Sequence, residues 1–199
     1  MAAPASLSYS AGMSEVFWIS FVAWGCLEAW VFLRERVGRT SGRSRDRGSV
    51  WWIVLWVWAG VYAAFGFHFA GVGAISGQKV AWFSGGIALM WLGFGVRVWA
   101  ILTLGRFFRT WVVIQDAHRI ITHGPYRWVR NPAYSGAVLT MAGLGLAMLN
   151  WYSTACLLGA ILIGYARRMR IEQKELLAHF GDEYARYVKR TWALIPFLW

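Results

Sequence analysis

Long apolar stretches separated by short basic segments dominate the pattern of the chain. Three stretches can cross a hydrocarbon core about 30 Å thick, which takes roughly 20 helical residues. They are residues 16–33, 50–71 and 80–104. Two shorter stretches, residues 132–149 and 152–166, are separated only by Asn150 and Trp151. We expect a tight helical hairpin there, although one long tilted helix also fits. The pattern predicts an all-α integral membrane protein with about five transmembrane helices.

Composition supports the membrane class. Hydrophobic residues make up 58% of the sequence and charged residues 15%, whereas soluble domains carry about 25% charged residues. The sequence also contains 15 tryptophans, and tryptophan concentrates where spanning segments meet water. These values exclude an ordinary soluble domain and predict the lipid bilayer as a partner.

The basic residues indicate how the spans are oriented. Most of the 20 lysines and arginines lie in the first loop, in residues 105–132 and in the C-terminal tail. Five spans would place all three segments on one side, which the positive-inside rule assigns to the cytoplasm. We therefore expect the N-terminus outside and the C-terminus in the cytoplasm. The net charge of +11 fits this rule and attraction to anionic headgroups, so we expect no nucleic-acid partner.

Few ionisable residues fall within the predicted spans. Glu28 and Arg97 lie at similar depth in the first and third spans. Because intramembrane charges usually need a partner, we expect them to pair, and a role in a substrate pathway is the alternative. The two cysteines and four histidines are not clustered along the chain, so we expect no metal site. The first fifteen residues lack a basic region, and no cleavable signal peptide is expected.

A polar, rigid segment precedes the fourth apolar stretch. Residues 105–131 are too polar to span the membrane, and they lead into HGPYRWVRNPAYSG at 123–136. Pro132 suits the first turn of a helix, where no N–H is needed, and Asn131 is a favourable N-cap. That helix start would point its positive dipole and free amides at the cytoplasmic interface. A carboxylate would be stabilised there.

A second polar element follows the fifth apolar stretch. Four polar residues recur at helical spacing opposite an apolar face, which is the pattern of an amphipathic helix. They are Arg168, Glu172, Glu175 and His179, and Gly181 is the expected end of the helix. By itself the pattern is also explained by a surface helix that extends the fifth span. In that case Arg168 and Glu172 form an ordinary surface ion pair.

The two elements together resemble a known family. GPYRWVRNPAYSG, then RMRIEQKELLAHFGDEYARY and a closing IPF, are similar to the isoprenylcysteine carboxyl methyltransferases and to related bacterial and lipid methyltransferases. The resemblance covers roughly residues 104–197. It implies a methyltransferase-like region at 105–199, with a transmembrane hairpin, a cytoplasmic amphipathic helix and the catalytic site. The three predicted spans before it, at 1–104, have no motif of their own and are expected to form a scaffold of transmembrane helices. A bacterial inner membrane is the implied location.

The resemblance also implies the chemistry. The expected activity is methyl transfer from S-adenosyl-L-methionine to a lipophilic or lipid-linked substrate. Arg168 and Glu172 would be the catalytic pair, with Arg168 binding the acidic group of the substrate and Glu172 the ammonium group of the cofactor. The residues expected to bind the cofactor are Gln115, His118, Arg119, Ile120, Ile121, Tyr126, Asn131, Pro132, Ala133, Tyr134 and Glu172.

Two departures from the family pattern stand at this site. Asn131 replaces the histidine of an Arg-His-Pro motif, and Gln173 replaces the second acid of a Glu-Glu pair. Asparagine hydrogen-bonds but carries no charge, so a mechanism that needs an imidazole at that position is excluded. Glu172 is then the acidic candidate at the site.

The acceptor atom stays open at this point. A carboxylate is ionised at neutral pH and needs no strong base, whereas an amine or hydroxyl acceptor would need Glu172 or His118 as base. Two other functions are alternatives. One is an NADPH-dependent membrane reductase, because sterol reductases have a loosely similar tail. The other is a non-catalytic membrane scaffold that retains the pocket, which the replacements at Asn131 and Gln173 would favour.

Overall fold

The computed structural model describes residues 11–37, 48–105 and 120–196. Within these ranges the chain is helical and forms no β-strand, so the predicted all-α class is confirmed there. A 3-10 helix, Gly124–Arg127, precedes the fourth α-helix. The α-helices in these ranges are α1 (Ala11–Val37), α2 (Ser49–Ala70), α3 (Lys79–Leu104), α4 (Pro132–Ala147), α5 (Trp151–Phe180) and α6 (Asp182–Arg190).

In the described part of the chain, three helices are long and apolar enough to cross a membrane. These stretches are Ala11–Leu33, Val50–Ala70 and Lys79–Leu104, and they correspond to the first three predicted spans. The helix α4 has 16 residues, about 24 Å at 1.5 Å per residue, which is short for a core of about 30 Å. The helix α5 is long enough, but its second half is charged. The total of five spans therefore stays a prediction.

The helices α4 and α5 form the predicted hairpin and not one long helix. Residues 148–150 separate them, and the two helices pack against each other. Asn150 is buried, and its side-chain oxygen accepts a hydrogen bond from the Ser153 amide over 2.9 Å, which caps α5. The Asn150 side-chain nitrogen donates to the Val72 carbonyl over 2.8 Å. One side chain thus starts α5 and ties the hairpin to the loop after α2.

Small residues bring α3 and α4 into close contact. A Cβ added at Gly93 would lie 2.5 Å from the Gly136 carbonyl oxygen, and one added at Gly143 would lie 2.4 Å from the Met90 nitrogen. A Cβ on Gly136 would lie 2.6 Å from the Arg97 nitrogen. Such contacts leave no room for a side chain and are typical of closely packed membrane helices. Since eleven of its 16 residues are buried, α4 is the central helix, and it begins beside Arg97.

The helix α5 continues well beyond the predicted span at 152–166. It runs unbroken to Phe180 and ends at Gly181, as predicted, where a φ of 52° favours glycine. The predicted amphipathic helix is therefore the second half of α5. The sequence pattern does not predict α6 as a separate helix, yet it follows directly after Gly181. At this end of the bundle, the start of α4, the middle of α5 and the end of α3 meet.

Candidate active site

A buried arginine and two partners form the centre of the site. The Arg168 Nε donates to the Glu172 Oε1 over 2.7 Å and to the Tyr134 hydroxyl over 3.0 Å. The Tyr134 hydroxyl donates to the same Glu172 oxygen over 2.8 Å. We call these three residues the Arg168 cluster. The family resemblance implies all three as site residues, and the hairpin brings them together.

The alternative interpretation, that Arg168 and Glu172 form an ordinary surface ion pair, is wrong. Only 2% of the Arg168 side chain is exposed, against 22% of Glu172. The spacing of one helical turn puts the two on the same face of α5, but α4 covers that face and supplies Tyr134. A charge that is withdrawn from water needs a paired and hydrogen-bonded partner, which the other two members of the cluster provide.

A second buried arginine lies on the other side of Tyr134. The rings of Tyr134 and Tyr165 are stacked with centroids 4.3 Å apart. Arg97 donates to the Tyr165 hydroxyl over 3.2 Å and to the Ala133 carbonyl over 3.1 Å. It also forms an ion pair with Glu28 over 2.9 Å, so the predicted pairing of these two residues is confirmed.

Tyr165 is a neighbour of the site that the sequence analysis misses. It lies three residues before Arg168, so the two fall on one face of α5. That spacing, with an aromatic residue inside an apolar stretch, is the signal that could have identified it.

The expectation that Asn131 caps α4 is only half right. Asn131 occupies the N-cap position and Pro132 the first helical position, but the Asn131 side chain makes no capping hydrogen bond. Its amide nitrogen instead donates to the Ala193 carbonyl over 2.8 Å. The Tyr134 and Ser135 amides both donate to the Asn131 carbonyl. These two amides are therefore not free to bind a ligand, and the helix start can attract an anion mainly through its dipole.

The C-terminal segment 191–194 is hydrogen-bonded to residues around the start of α4. The Arg130 amide donates to the Trp192 carbonyl, and the Trp192 amide donates to the Trp128 carbonyl, both over 2.9 Å. The Arg130 guanidinium donates to the Thr191 carbonyl over 2.8 Å, and the Ser135 hydroxyl donates to the Leu194 carbonyl. This segment is therefore hydrogen-bonded both to the residues before α4 and to its first turn.

Three tyrosines outside the membrane-spanning segments are partly or fully buried; they are Tyr126, Tyr184 and Tyr187. Tyr126 is buried, its hydroxyl donates to the Ala100 carbonyl over 3.4 Å, and its own carbonyl accepts from the Tyr187 hydroxyl over 2.8 Å. Burial raises the pKa of Tyr126 and of Tyr187 well above the ordinary value. It raises the pKa of Tyr184 to about 12. These phenols are therefore neutral hydrogen-bonding groups at neutral pH.

Apart from Tyr134 and Glu172, which belong to the Arg168 cluster, the predicted cofactor residues fall into three groups. Ala133 and Tyr126 form a small apolar cluster against which Ile121 packs, and the half-buried Ile120 lies next to it in sequence. Asn131 and Pro132 lie at the start of α4 beside the Arg168 cluster. The remaining residues lie outside the described ranges; they are Gln115, His118 and Arg119.

Comparison with known proteins decides the family. Residues 82–183 match the profile of the phospholipid methyltransferase family, which is about half of the chain. The chain belongs to the phospholipid methyltransferase family. The matched range contains all of α4 and α5 and every residue of the Arg168 cluster, whereas α1 lies outside it.

Curated relatives of the chain are named as methyltransferases. A probable protein-S-isoprenylcysteine O-methyltransferase of Oryza sativa subsp. indica is 32% identical over 124 residues, which cover 60% of this chain and 65% of that protein. The protein-S-isoprenylcysteine O-methyltransferase of Tribolium castaneum is 31% identical over 124 residues, 61% of this chain and 44% of that protein. These alignments confirm the predicted resemblance.

A solved structure has a fold similar to that of this chain. It is that of the eukaryotic intramembrane Ras methyltransferase ICMT, isoprenylcysteine carboxyl methyltransferase. It is 25% identical, has a TM-score of 0.59 and aligns with 73% of this chain and 52% of its own. This chain therefore spans about half of that structure and less than two thirds of the curated relatives above. The family match begins inside the region predicted as scaffold, 1–104, and the predicted division into two regions stays a prediction.

Proposed function

We propose that this protein is a membrane methyltransferase that methylates a carboxylate on a lipophilic or lipid-linked substrate, with S-adenosyl-L-methionine as methyl donor. The observation that carries the proposal is the buried Arg168 cluster inside the family-matched range. The names of the relatives support an isoprenylcysteine-type carboxylate as acceptor. The reductase and scaffold alternatives lack a comparable observation.

The residues present suit the charged end of this cofactor. The Glu172 carboxylate is about one-fifth exposed and could accept hydrogen bonds from an ammonium group while it still faces Arg168. The start of α4 offers a favourable dipole to a carboxylate. When bound, the cofactor supplies a methyl group on a cationic sulfur, and the stacked Tyr134 and Tyr165 rings are the type of surface that attracts a cation. Gln115, His118, Arg119, Ile120 and Ile121 are proposed to bind the remainder.

Arg168 is proposed to hold the acceptor. Its charge would fix an anionic oxygen by charge-assisted hydrogen bonds, and Glu172 would keep the guanidinium in place through the Nε bond of 2.7 Å. A carboxylate acceptor is already ionised and needs no base. Arg168 and Glu172 would therefore need only to align the acceptor oxygen with the methyl carbon and to help exclude water.

The proposed placement in the membrane follows the charge pattern. Arg127, Arg130, Arg167 and Arg170 lie at the same end of the bundle as the Arg168 cluster. We propose that this end faces the cytoplasm of a bacterial inner membrane, with five spans and the N-terminus outside. A polar donor from the cytoplasm would then meet an acceptor from the bilayer at one interface.

The test is calorimetric titration of the detergent-solubilised protein with S-adenosyl-L-methionine and, in parallel, with NADPH. We expect saturable binding of the first, weakened about tenfold in Glu172→Gln, since a hydrogen bond between charged groups contributes about 1.5–3 kcal/mol. Glu183→Gln, at an exposed position of α6, is the control and should bind normally.

Three results would contradict the proposal or part of it. Binding of NADPH alone would favour the reductase. A folded protein that binds neither molecule would favour the scaffold. Normal cofactor binding in Glu172→Gln would reject the role assigned to Glu172. Methyl transfer to N-acetyl-S-farnesylcysteine, which carries an isoprenyl tail and a free carboxylate, then tests the acceptor class.

A further inference from the structure

A chain of contacts joins α1 to the candidate active site. Glu28 bonds Arg97, Arg97 bonds the Tyr165 hydroxyl, and Tyr165 stacks on Tyr134. Tyr134 in turn donates to Glu172. These five residues come from four helices, α1, α3, α4 and α5. Only Glu28 lies outside the range that the family profile matches.

We propose that Glu28 is a positioning residue for the candidate active site and acts through Arg97. The inference rests on the proposed function and adds a role for α1, a helix to which the family match assigns none. Glu28 itself is not a catalytic residue, because the contacts given above place two residues between it and the Arg168 cluster.

Arg97 needs a charged partner to keep its orientation. It is 8% exposed, and its Nε is buried without a hydrogen-bond partner among the described residues. Glu28 is its ion-pair partner in those ranges. Glu28 is 35% exposed, but its removal would leave the charge of the buried Arg97 uncompensated, which would draw the guanidinium towards water or another acceptor. The pair therefore fixes where Arg97 points.

The orientation of Arg97 fixes Tyr134 at two points. The same Nη1 atom donates to the Ala133 carbonyl, adjacent to Tyr134 in α4, and to the Tyr165 hydroxyl. Tyr165 presents its ring to Tyr134. A backbone contact on one side and a stacked ring on the other thus hold the Tyr134 hydroxyl towards Arg168 and Glu172.

A purely structural role for the pair is less consistent with its surroundings. The helix α1 already packs through aromatic side chains; for example, Phe21 contacts Phe65 at 5.7 Å between ring centroids. Apolar residues stabilise such contacts at least as well as a buried ion pair does. Ionisable residues within a span are costly and usually serve a function, and here they lie next to the site.

The first experiment compares Glu28→Gln with Glu15→Gln. Both remove one carboxylate from α1, but Glu15 is exposed and lies more than three helical turns away. In Glu28→Gln we expect kcat towards N-acetyl-S-farnesylcysteine to fall about tenfold, which corresponds to about 1.4 kcal/mol. KM for S-adenosyl-L-methionine should change less than threefold. Glu28→Asp, which keeps the charge, should recover part of kcat, and Glu15→Gln should match the wild type.

Two outcomes of these kinetics would overturn the proposal. One is a Glu28→Gln enzyme with unchanged kcat and unchanged KM. The other is a variant in which KM for the acceptor rises and kcat does not change, because Arg97 would then act on a substrate pathway. If Glu28→Gln does not fold, the same kinetic comparison with Glu15→Gln is made with Glu28→Asp and Arg97→Lys, which retain both charges.

A second experiment is independent of turnover. Tyrosine labelled with ¹³C at Cζ reports the surroundings of each hydroxyl by NMR, and Phe substitutions at Tyr134 and Tyr165 assign their signals. Both signals should shift in Glu28→Gln and stay in place in Glu15→Gln. Unchanged signals would reject the positioning role. If the wild type transfers no methyl group at all, the proposed function fails, and this measurement still decides the inference.

Discussion

Arg97 and Arg168 are both buried and both paired with a glutamate, but the two pairs are built differently. Arg168 and Glu172 lie one turn apart on α5, and the helix alone brings them together. Arg97 and Glu28 lie 69 residues apart and meet only because α1 packs against α3. The first pair is thus a local feature that tertiary structure buries, whereas tertiary structure creates the second.

Because of this difference we expect the two pairs to have different roles: the Arg168 pair in the chemistry and the Arg97 pair in positioning the site. Both carboxylates are partly exposed, Glu172 at 22% and Glu28 at 35%. The Arg168 pair, however, lies beside the start of α4 and contacts the Tyr134 hydroxyl, whereas the buried Arg97 contacts backbone and Tyr165. We therefore expect changes at Arg168 to lower turnover most, and changes at Glu28 or Arg97 to lower it less, through the position of Tyr134.

The largest effect should come from Arg168→Ala. Loss of the guanidinium removes the proposed anchor for the acceptor, and a misplacement of the reacting groups by about 1 Å can cost about 100-fold in turnover. Cofactor binding should change little. Turnover is measured with N-acetyl-S-farnesylcysteine, and binding by calorimetry. If Arg168→Ala lost cofactor binding and turnover equally, the division of roles between Arg168 and Glu172 would be wrong.

A large stability effect should follow from Gly143→Leu. A Cβ at this position would lie 2.4 Å from the Met90 nitrogen, so α3 and α4 would have to separate, at a cost of about 3 kcal/mol. Gly95→Leu is the matched control on α3, since nothing lies within 4 Å of a Cβ there. Thermal unfolding in detergent should show a clear loss for the first variant only. Equal behaviour of the two would contradict the close α3–α4 contact.

A smaller effect should follow from Asn131→Ala. This change removes the hydrogen bond to the Ala193 carbonyl, worth about 1 kcal/mol, and should loosen the segment 191–194. Limited proteolysis from the C-terminus should become faster, with Gln173→Ala, at an exposed position of α5, as control. An unchanged cleavage rate would mean that the other contacts of the segment suffice to hold it.

The smallest effect near neutral pH concerns Tyr184. Burial raises its pKa to about 12, above the unfolded value of about 10, so the folded state favours the neutral phenol. This contribution to stability is fully present below pH 10 and is lost as the pH rises towards 12. Thermal unfolding of the wild type and of Tyr184→Phe should therefore show the same dependence on pH from 7 to 9. Above pH 10, only the wild type should lose this contribution.

Local and depth-dependent features of the fold could be predicted from the sequence. The spacing of Arg168 and Glu172 specifies one helix face, Gly181 specifies the end of α5, and matching depth in two spans predicts the pairing of Glu28 with Arg97. Each rests on helical geometry or on the cost of charge in a membrane, which a sequence expresses directly.

Features that depend on distant segments could not be predicted. Asn131 is a good N-cap by type, but its side chain donates to Ala193, 62 residues later, and no local rule anticipates that partner. The importance of Tyr165 arises from stacking on Tyr134 across the hairpin. The burial of Arg168 likewise depends on how α4 lies over α5.

The unbroken course of α5 has a mechanical consequence. Its 30 residues form a rod of about 45 Å, with apolar turns at one end and Arg168 and Glu172 beyond them. If α5 crosses the membrane as predicted, a thicker or thinner bilayer would change its tilt, and because the helix contains no hinge, the tilt would reach Arg168 and Glu172. We therefore expect lipid chain length to affect the geometry of the proposed site.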